Sequence, residues 1–400
     1  MKFLVSSLFS LLLFAVVAGP ALAQAPQPPE VNAKSFLLLD LSSNQVLAER
    51  AADTPADPAS LTKLMTAYVV FTAIRDKKLS LEQTLPVSLR AWEERKGGGS
   101  LMFIDTTMTP KVDELLRGMI VQSGNDASVA LAEGVAGSVD QFVAMMNRQA
   151  QAFGLKNSTF KNVTGLTEAG HKSTARDLAT VATHIIRDFP DFYTYYAIKE
   201  YAYNKISQPN RNLLLRRDPT VDGMKTGFTE AAGYCLIASA VRDFPNLGGP
   251  GTAGAAGAPS GKRRLLSVVL NTTSMDARAN ESQKLLNWGY QAFDTVRLFE
   301  DGQPMVSPPV WKGKVAQAKL GATGGVFVTV PKGEGGKLQT KIERTDPLVA
   351  PLAKGQRVGS IKVTTASGLA ILELPLVVLE PIEQAGLFGR AWDSLRLWIK

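Results

Sequence analysis

The order of patterns along the chain predicts an α+β fold with a second, smaller β domain. Strand-type runs open it, a long helical block follows, and strand-type runs return before a closing helix. Strands gathered at both ends of a helical block make an antiparallel sheet with helices around it, and they exclude a doubly wound βαβ repeat. Beyond Gly302 the helical period disappears and short β-rich runs separated by turn residues take over, the signature of a separate all-β unit.

The elements follow in order. Met1-Lys2, the apolar stretch 3–18, Gly19-Pro20 and Ala21-Leu22-Ala23 read as a secretory signal peptide over 1–23, with a small-x-small cleavage pattern. The proline-rich stretch 24–30 is a loose lead-in. Runs 36–39 and 45–48 flank Asp40-Leu41-Ser42-Ser43-Asn44, a hairpin signal. Leu61, Leu64, Met65 and Tyr68 recur at helical spacing after Pro58, and further helices are expected over 112–121, 127–135, 139–153 and 174–189. The stretch 92–100 reads as a loop. Strands are expected over 234–241 and 265–270, a glycine-rich surface loop over 246–261 between them, and a closing helix over 281–291. β-rich runs at 316–320, 325–330, 338–344, 357–364 and 369–379 form the second part, the last containing Pro375 and reading as one strand or two.

The carboxy terminus is amphipathic. At about 100° per residue, Leu387, Phe388, Ala391, Trp392, Leu395, Trp398 and Ile399 share one face. Arg390, Asp393, Arg396 and Lys400 lie on the other, with Leu397 the exception. Tryptophans flanked by Arg and Lys suit a helix lying on an anionic lipid surface; docking of the apolar face onto the protein's own core is the alternative. The expected division is thus a 1–23 leader, a 24–299 α+β domain, a 300–381 small all-β domain and a 382–400 amphipathic helix.

Composition narrows the chemistry. Of 400 residues, 45 % are hydrophobic and 20 % charged, enough apolar surface for large cores and against disorder throughout. One cysteine excludes an intramolecular disulfide, and with only two histidines, His171 and His184, no metal site and no cofactor are expected. The formal charge of +8 favours an anionic partner. The basic residues form no stripe, so nucleic acid is not expected. Export without disulfides fits a bacterial periplasm.

Three short motifs can carry catalysis. In Ser60-Leu61-Thr62-Lys63, serine and lysine three apart share a helix face. A desolvated lysine there can take the serine's proton. In Ser123-Gly124-Asn125, following an apolar helix end, a hydroxyl and an amide can enter a cleft. In Lys225-Thr226-Gly227 a cation and a hydroxyl on a strand edge can receive a carboxylate, and glycine leaves the edge open to a substrate.

Each motif alone is weak. Their joint presence and order resemble the penicillin-recognising serine acyltransferases. Pro58-Ala59-Ser60-Leu61-Thr62-Lys63-Leu64-Met65-Thr66, Ser123-Gly124-Asn125-Asp126-Ala127, His171-Lys172-Ser173-Thr174-Ala175-Arg176-Asp177, Asn210-Arg211-Asn212 and Asp222-Gly223-Met224-Lys225-Thr226-Gly227 narrow the resemblance. They are similar to the low-molecular-mass D-alanyl-D-alanine carboxypeptidases of the three-part, membrane-anchored periplasmic type. That resemblance implies the penicillin-recognising fold, with 24–299 as the catalytic domain, 300–381 as a β-sandwich domain and 382–400 as a membrane anchor. It implies Ser60 as acylated nucleophile, Lys63 as general base, and Ser123 and Asn125 completing the proton path and orienting the peptide. Lys225 and Thr226, with Gly227 keeping the strand edge open, receive the terminal carboxylate, supported by Arg278. The N–H groups of Ser60 and Phe228 form the oxyanion hole. It implies peptidoglycan stem peptides as substrate, β-lactams as covalent inhibitors, and a periplasmic inner-membrane location.

The chain departs from the family pattern at Phe228, where histidine is common, and at Lys172, where tyrosine is usual. An endopeptidase cutting cross-links is the alternative reading. A β-lactamase is less favoured, because no glutamate-x-x-leucine-asparagine segment lies between Ser123 and Lys225.

Overall fold

A computed structural model describes residues 26–244, 247–248, 261–366 and 368–399. The expected leader and most of the expected loop 246–261 lie outside the described residues.

The first sheet has five antiparallel strands, in the order Gln45–Arg50, Ser35–Asp40, Gly261–Thr272, Gly233–Phe244 and Val221–Thr229. The uninterrupted apolar run of the Ser35–Asp40 strand follows from burial on both faces. Leu37 and Leu39 join the core shared with the helical block, while Phe36 and Leu38 join a second core under the helix Met275–Ala292. The helix Lys63–Arg75 is buried nearly all round, so its sequence is apolar on every side. The helices Val139–Ala152, Ala175–Asp188 and Met275–Ala292 start where Ser138, Thr174 and Ser274 accept hydrogen bonds from Gln141 N, Asp177 N and Ala277 N, satisfying otherwise unpaired donors.

Several expectations change in detail. The helix expected over 112–121 is α-helical only over Val112–Arg117 and continues as a π turn, Gly118–Gln122. The stretch expected as a loop over 92–100 begins as helical turns, Leu89–Glu93 and Glu94–Gly97, capped by Ser88; only its end is loop. The closing helix starts at Met275, so Arg278 sits in its first turns. The hairpin Glu200–Tyr203 with Ile206–Pro209 was not expected from the sequence; its strands are too short to show a period.

The second unit has its own core, built from Val296, Val328, Leu320, Ile361, Val363 and Leu376 among others. One sheet runs in the order Leu320–Gly321, Ala370–Val378, Arg357–Thr364, Gln339–Arg344. The run 369–379 is one strand. Pro375 is tolerated because the strand on its far side pairs only with Val377 and Val378, leaving no donor required of the proline. The strand Phe293–Phe299 pairs antiparallel with Val326–Pro331, so these residues belong by hydrogen bonding with the β-rich unit.

A buried carboxylate joins the two units. Asp40 Oδ2 accepts from Arg263 Nε at 2.8 Å, Thr295 Oγ1 at 2.7 Å and Thr329 Oγ1 at 2.8 Å. Gln45 reinforces the joint: its Oε1 accepts from Thr329 N at 2.6 Å, and its Nε2 donates to Thr329 O at 3.2 Å.

The terminal helix, Leu387–Ile399, rests on the β-rich unit by its polar edge. Asp393 Oδ2 accepts from Lys312 N at 2.6 Å, and the Arg396 guanidinium lies over the Trp311 ring at 5.7 Å. Leu397, the apolar residue on the polar side of the wheel, is half-buried there. The opposite face is turned outward: Leu387, Phe388, Trp392, Leu395 and Trp398 are exposed, Phe388 to 94 % and Trp398 to 86 %.

Candidate active site

Ser60 stands at the entrance to the buried Lys63–Arg75 helix, in the 3-10 turn Ala59–Thr62. Ala59 before it adopts φ 46°, a left-handed conformation costly for a residue with a Cβ and typical of functional sites. Gly165, at φ +85°, packs against this turn so closely that a Cβ there would lie 1.8 Å from Ala59 O. Only glycine lets the two segments meet.

Lys63 is 1 % exposed. Its Nζ donates to Ser60 Oγ at 3.1 Å, Asn125 Oδ1 at 2.7 Å and Thr164 O at 2.7 Å. Burial is the main cause that lowers its pKa to about 7, against a smaller opposing pull from Glu94. A lysine so placed is neutral in a large fraction near pH 7 and can accept a proton.

Ser123 terminates the π turn in a left-handed conformation, φ 64°. Its hydroxyl is buried and, among the described residues, has no hydrogen-bond partner, yet it lines the cleft, so its bonding capacity is free for a ligand or a proton. Asn125 begins the next helix, and its N–H donates to Ser100 O at 2.7 Å. Asp126, given no role by the sequence reading, organises the loop opposite. Its carboxylate accepts from Met102 N at 2.8 Å, Phe103 N at 2.8 Å and Ile104 N at 3.1 Å.

Lys225, Thr226 and Gly227 lie on the edge strand Val221–Thr229, with Gly227 opposite Cys235. Lys225 is buried and its Nζ donates to Thr226 O at 3.3 Å. Its pKa falls well below the lysine range, first through burial and then through Lys63, Arg211 and Arg278. Arg278 donates to Gly227 O at 2.9 Å and Cys235 O at 3.4 Å, and burial pushes its pKa down to about 10. Arg211 donates to Ser100 Oγ, and burial lowers its pKa too. These cations hydrogen-bond to carbonyls and a hydroxyl, not to carboxylates. Among the described residues these three desolvated basic groups have no acid partner, and they are poised for an anionic ligand.

The motif residues therefore converge. Ser60, Ser123, Asn125, Thr226, Gly227, Phe228 and Arg278 line one cleft of about 370 Å³, with Lys63 and Lys225 buried behind it. Arg211, which lines the cleft, and Thr164 O, which accepts from Lys63, are groups at the site to which the sequence reading gave no role. Arg211 lay in the quoted Asn210-Arg211-Asn212 run without a role. A backbone carbonyl has no sequence signal. His171 is structural: Nδ1 accepts from Lys161 N at 3.0 Å and Nε2 faces Thr62 Oγ1 at 2.8 Å. Cys235 is buried, and burial raises its thiol to about 11, which leaves it inert.

An antiparallel sheet with a helical layer, a serine–lysine pair at a helix entrance and a cationic strand edge define a penicillin-recognising serine peptidase. Comparison with known proteins makes the class specific. The D-alanyl-D-alanine carboxypeptidase family of serine peptidases matches residues 22–247, and the penicillin-binding protein 5 C-terminal domain matches residues 293–384. The chain is 42 % identical to D-alanyl-D-alanine carboxypeptidase DacC of Escherichia coli over 97 % of its own length and 93 % of the relative's. It is 40 % identical to DacA of the same organism, over 93 % and 89 %. Among solved structures, penicillin binding protein 5 from Haemophilus influenzae superposes with TM-score 0.81 at 38 % identity, covering 90 % of this chain and 100 % of that one. The chain belongs to the D-alanyl-D-alanine carboxypeptidase family. It is a serine-type D-Ala-D-Ala carboxypeptidase with the exported, periplasmic location of its family.

Proposed function

We propose that Ser60 attacks the carbonyl of the penultimate D-alanine in peptidoglycan stem peptides while neutral Lys63 takes the hydroxyl proton. The carbonyl oxygen turns toward the N–H groups of Ser60 and Phe228, which stabilise the developing negative charge. The substrate carboxylate meets Lys225, Thr226 and Arg278. The peptide bond to the terminal D-alanine breaks, and the departing amine receives a proton through Ser123 from Lys63. Asn125 orients the peptide and holds Lys63. Water then cleaves the acyl-enzyme, with Lys63 again as base. A β-lactam acylates Ser60 in the same way but retains its leaving group. The 2.7 Å bond from desolvated Lys63 to Asn125, beside Ser60 at 3.1 Å, carries this reading. Ser60→Ala abolishes both D-alanine release and covalent penicillin labelling; retained release overturns it.

Endopeptidase action is the weaker alternative. The endopeptidase relative from Escherichia coli aligns with only 58 % of this chain, at 33 % identity. Mass spectrometry of cross-linked dimers against pentapeptides separates the two.

The junction between the two units is read as falling before the strand Phe293–Phe299 rather than after it, because that strand pairs with Val326–Pro331. Leu387–Ile399 is read as an anchor lying in the periplasmic face of the inner membrane. Its outward apolar face supports this. Its 13 residues rise only about 20 Å, too little to span a bilayer. Deleting residues from Gly386 onward moves the protein from the membrane to the soluble fraction with activity kept; unchanged fractionation overturns the anchor.

A further inference from the structure

The cleft is chemically lopsided. Across the cleft from the sheet edge the lining side chains Ser100, Ser123 and Asn125 are polar, and Leu166 is the single apolar one. Beyond Gly227, the sheet edge and the start of the Met275–Ala292 helix contribute Phe228, Tyr234 and Met275, with Thr229 and Arg278 the polar residues among them. Phe228 is 48 % exposed and Met275 38 %. The Phe228 ring packs on Tyr234 at 4.3 Å between centroids, tilted by 34°. The Arg278 guanidinium lies 5.6 Å from the same Tyr234 ring.

These distances place the apolar wall beside the cation that meets the substrate carboxylate. The terminal residue carries that carboxylate on its α-carbon, so its side chain branches one bond away from the group held by Thr226 and Arg278. A methyl group covers little of a surface made of two aromatic rings and a thioether. A larger apolar side chain removes more of it from water. The stack on Tyr234 keeps Phe228 from collapsing into the gap.

We propose that Phe228, Tyr234 and Met275 form an apolar subsite for the side chain of the departing carboxy-terminal residue, so that this enzyme releases D-residues with bulky apolar side chains as well as D-alanine. The proposal rests on the reading of Lys225, Thr226 and Arg278 as the carboxylate site.

The test is a set of synthetic stem peptides ending in D-Ala-D-Ala, D-Ala-D-Leu and D-Ala-D-Ser, assayed on the full chain. For the wild type, kcat/KM for the leucine peptide equals or exceeds that for the alanine peptide, and the serine peptide is the poorest. In Phe228→Ala the leucine-to-alanine ratio drops about tenfold; in Met275→Ser it drops about threefold; in Phe228→Leu it recovers. Because the ratio is internal to each variant, a partly misfolded preparation lowers both rates and leaves it unchanged. A wild type that rejects leucine a hundredfold, or a ratio that Phe228→Ala leaves untouched, overturns the subsite. Absence of release from the alanine peptide by the wild type overturns the carboxylate reading itself, and the subsite with it.

Discussion

Lys63 Nζ donates to Asn125 Oδ1 across 2.7 Å, tying the helix that follows Ser60 to the turn that carries Ser123. The bond fixes the amine 3.1 Å from Ser60 Oγ inside a space that water scarcely reaches. Burial lowers the lysine's pKa, and the hydrogen bonds hold its position. A base needs both at once.

The first prediction concerns pH. With the pKa of Lys63 at about 7, the acylation rate rises through neutrality and falls about tenfold per unit well below it. Lys63→Arg stays charged and reduces acylation by about a thousandfold or more. Stability carries the same signature. The folded chain sheds this proton near 7, the unfolded chain only near about 10.4. Between those values the unfolded state binds more protons, so stability rises with pH. Chemical denaturation at pH 7 and pH 9 shows wild type gaining on Lys63→Met at the higher pH.

A second prediction uses a close approach. A Cβ on Gly99 would lie 2.2 Å from Asn125 Nδ2. That amide is the mobile end of a side chain, so it moves and the fold survives. Gly99→Ala therefore slows penicillin acylation by about tenfold or more while the melting temperature changes little. Stopped-flow acylation and calorimetry check the two halves.

Asp126 supplies the third. Its carboxylate satisfies three backbone donors of the Met102–Ile104 segment, and Phe103 there is held at φ 67°. Asp126→Ala leaves buried donors unpaired and costs about 2–4 kcal/mol, measured by denaturant unfolding. KM rises as well, because the adjoining Gly98–Ser100 edge of the cleft loses its support.

The fourth lies at the joint. Asp40 is fully buried and paired with Arg263, itself buried. Asp40→Ala strands that guanidinium and releases Thr295 and Thr329, at a cost of about 3–5 kcal/mol. Limited proteolysis of this variant produces cleavage near residue 293, where the wild type resists.

Much of the architecture was legible early because local rules suffice for it. The Ser35–Asp40 run is apolar on both faces, and the helix starts at Ser138 and Thr174 carry hydroxyls that cap; the cap at Ser274 went unread, because the closing helix was expected only from residue 281. Elements of low periodicity were not legible. The hairpin 200–209 offers too few residues for a pattern. The π turn at Gly118–Gln122 looks like ordinary helix in sequence, because one extra residue per turn leaves the apolar residues apolar.

For the site, residue types at fixed spacing pointed to side chains that the structure brings to one cleft. Ser60 and Lys63 share a helix face wherever that helix is placed, and the three motifs in order resemble a single family. The sequence alone therefore determined the α+β class, the serine–lysine pair and the amphipathic character of the last helix. Only the tertiary structure decided how basic Lys63 is, since desolvation is a property of everything packed around a group and not of its neighbours in the chain. The same holds for Arg211 entering the cleft and for the Thr164 carbonyl reaching Lys63. It holds equally for the terminal helix, which a wheel could have turned either way until Asp393 met Lys312 and left the tryptophans facing out.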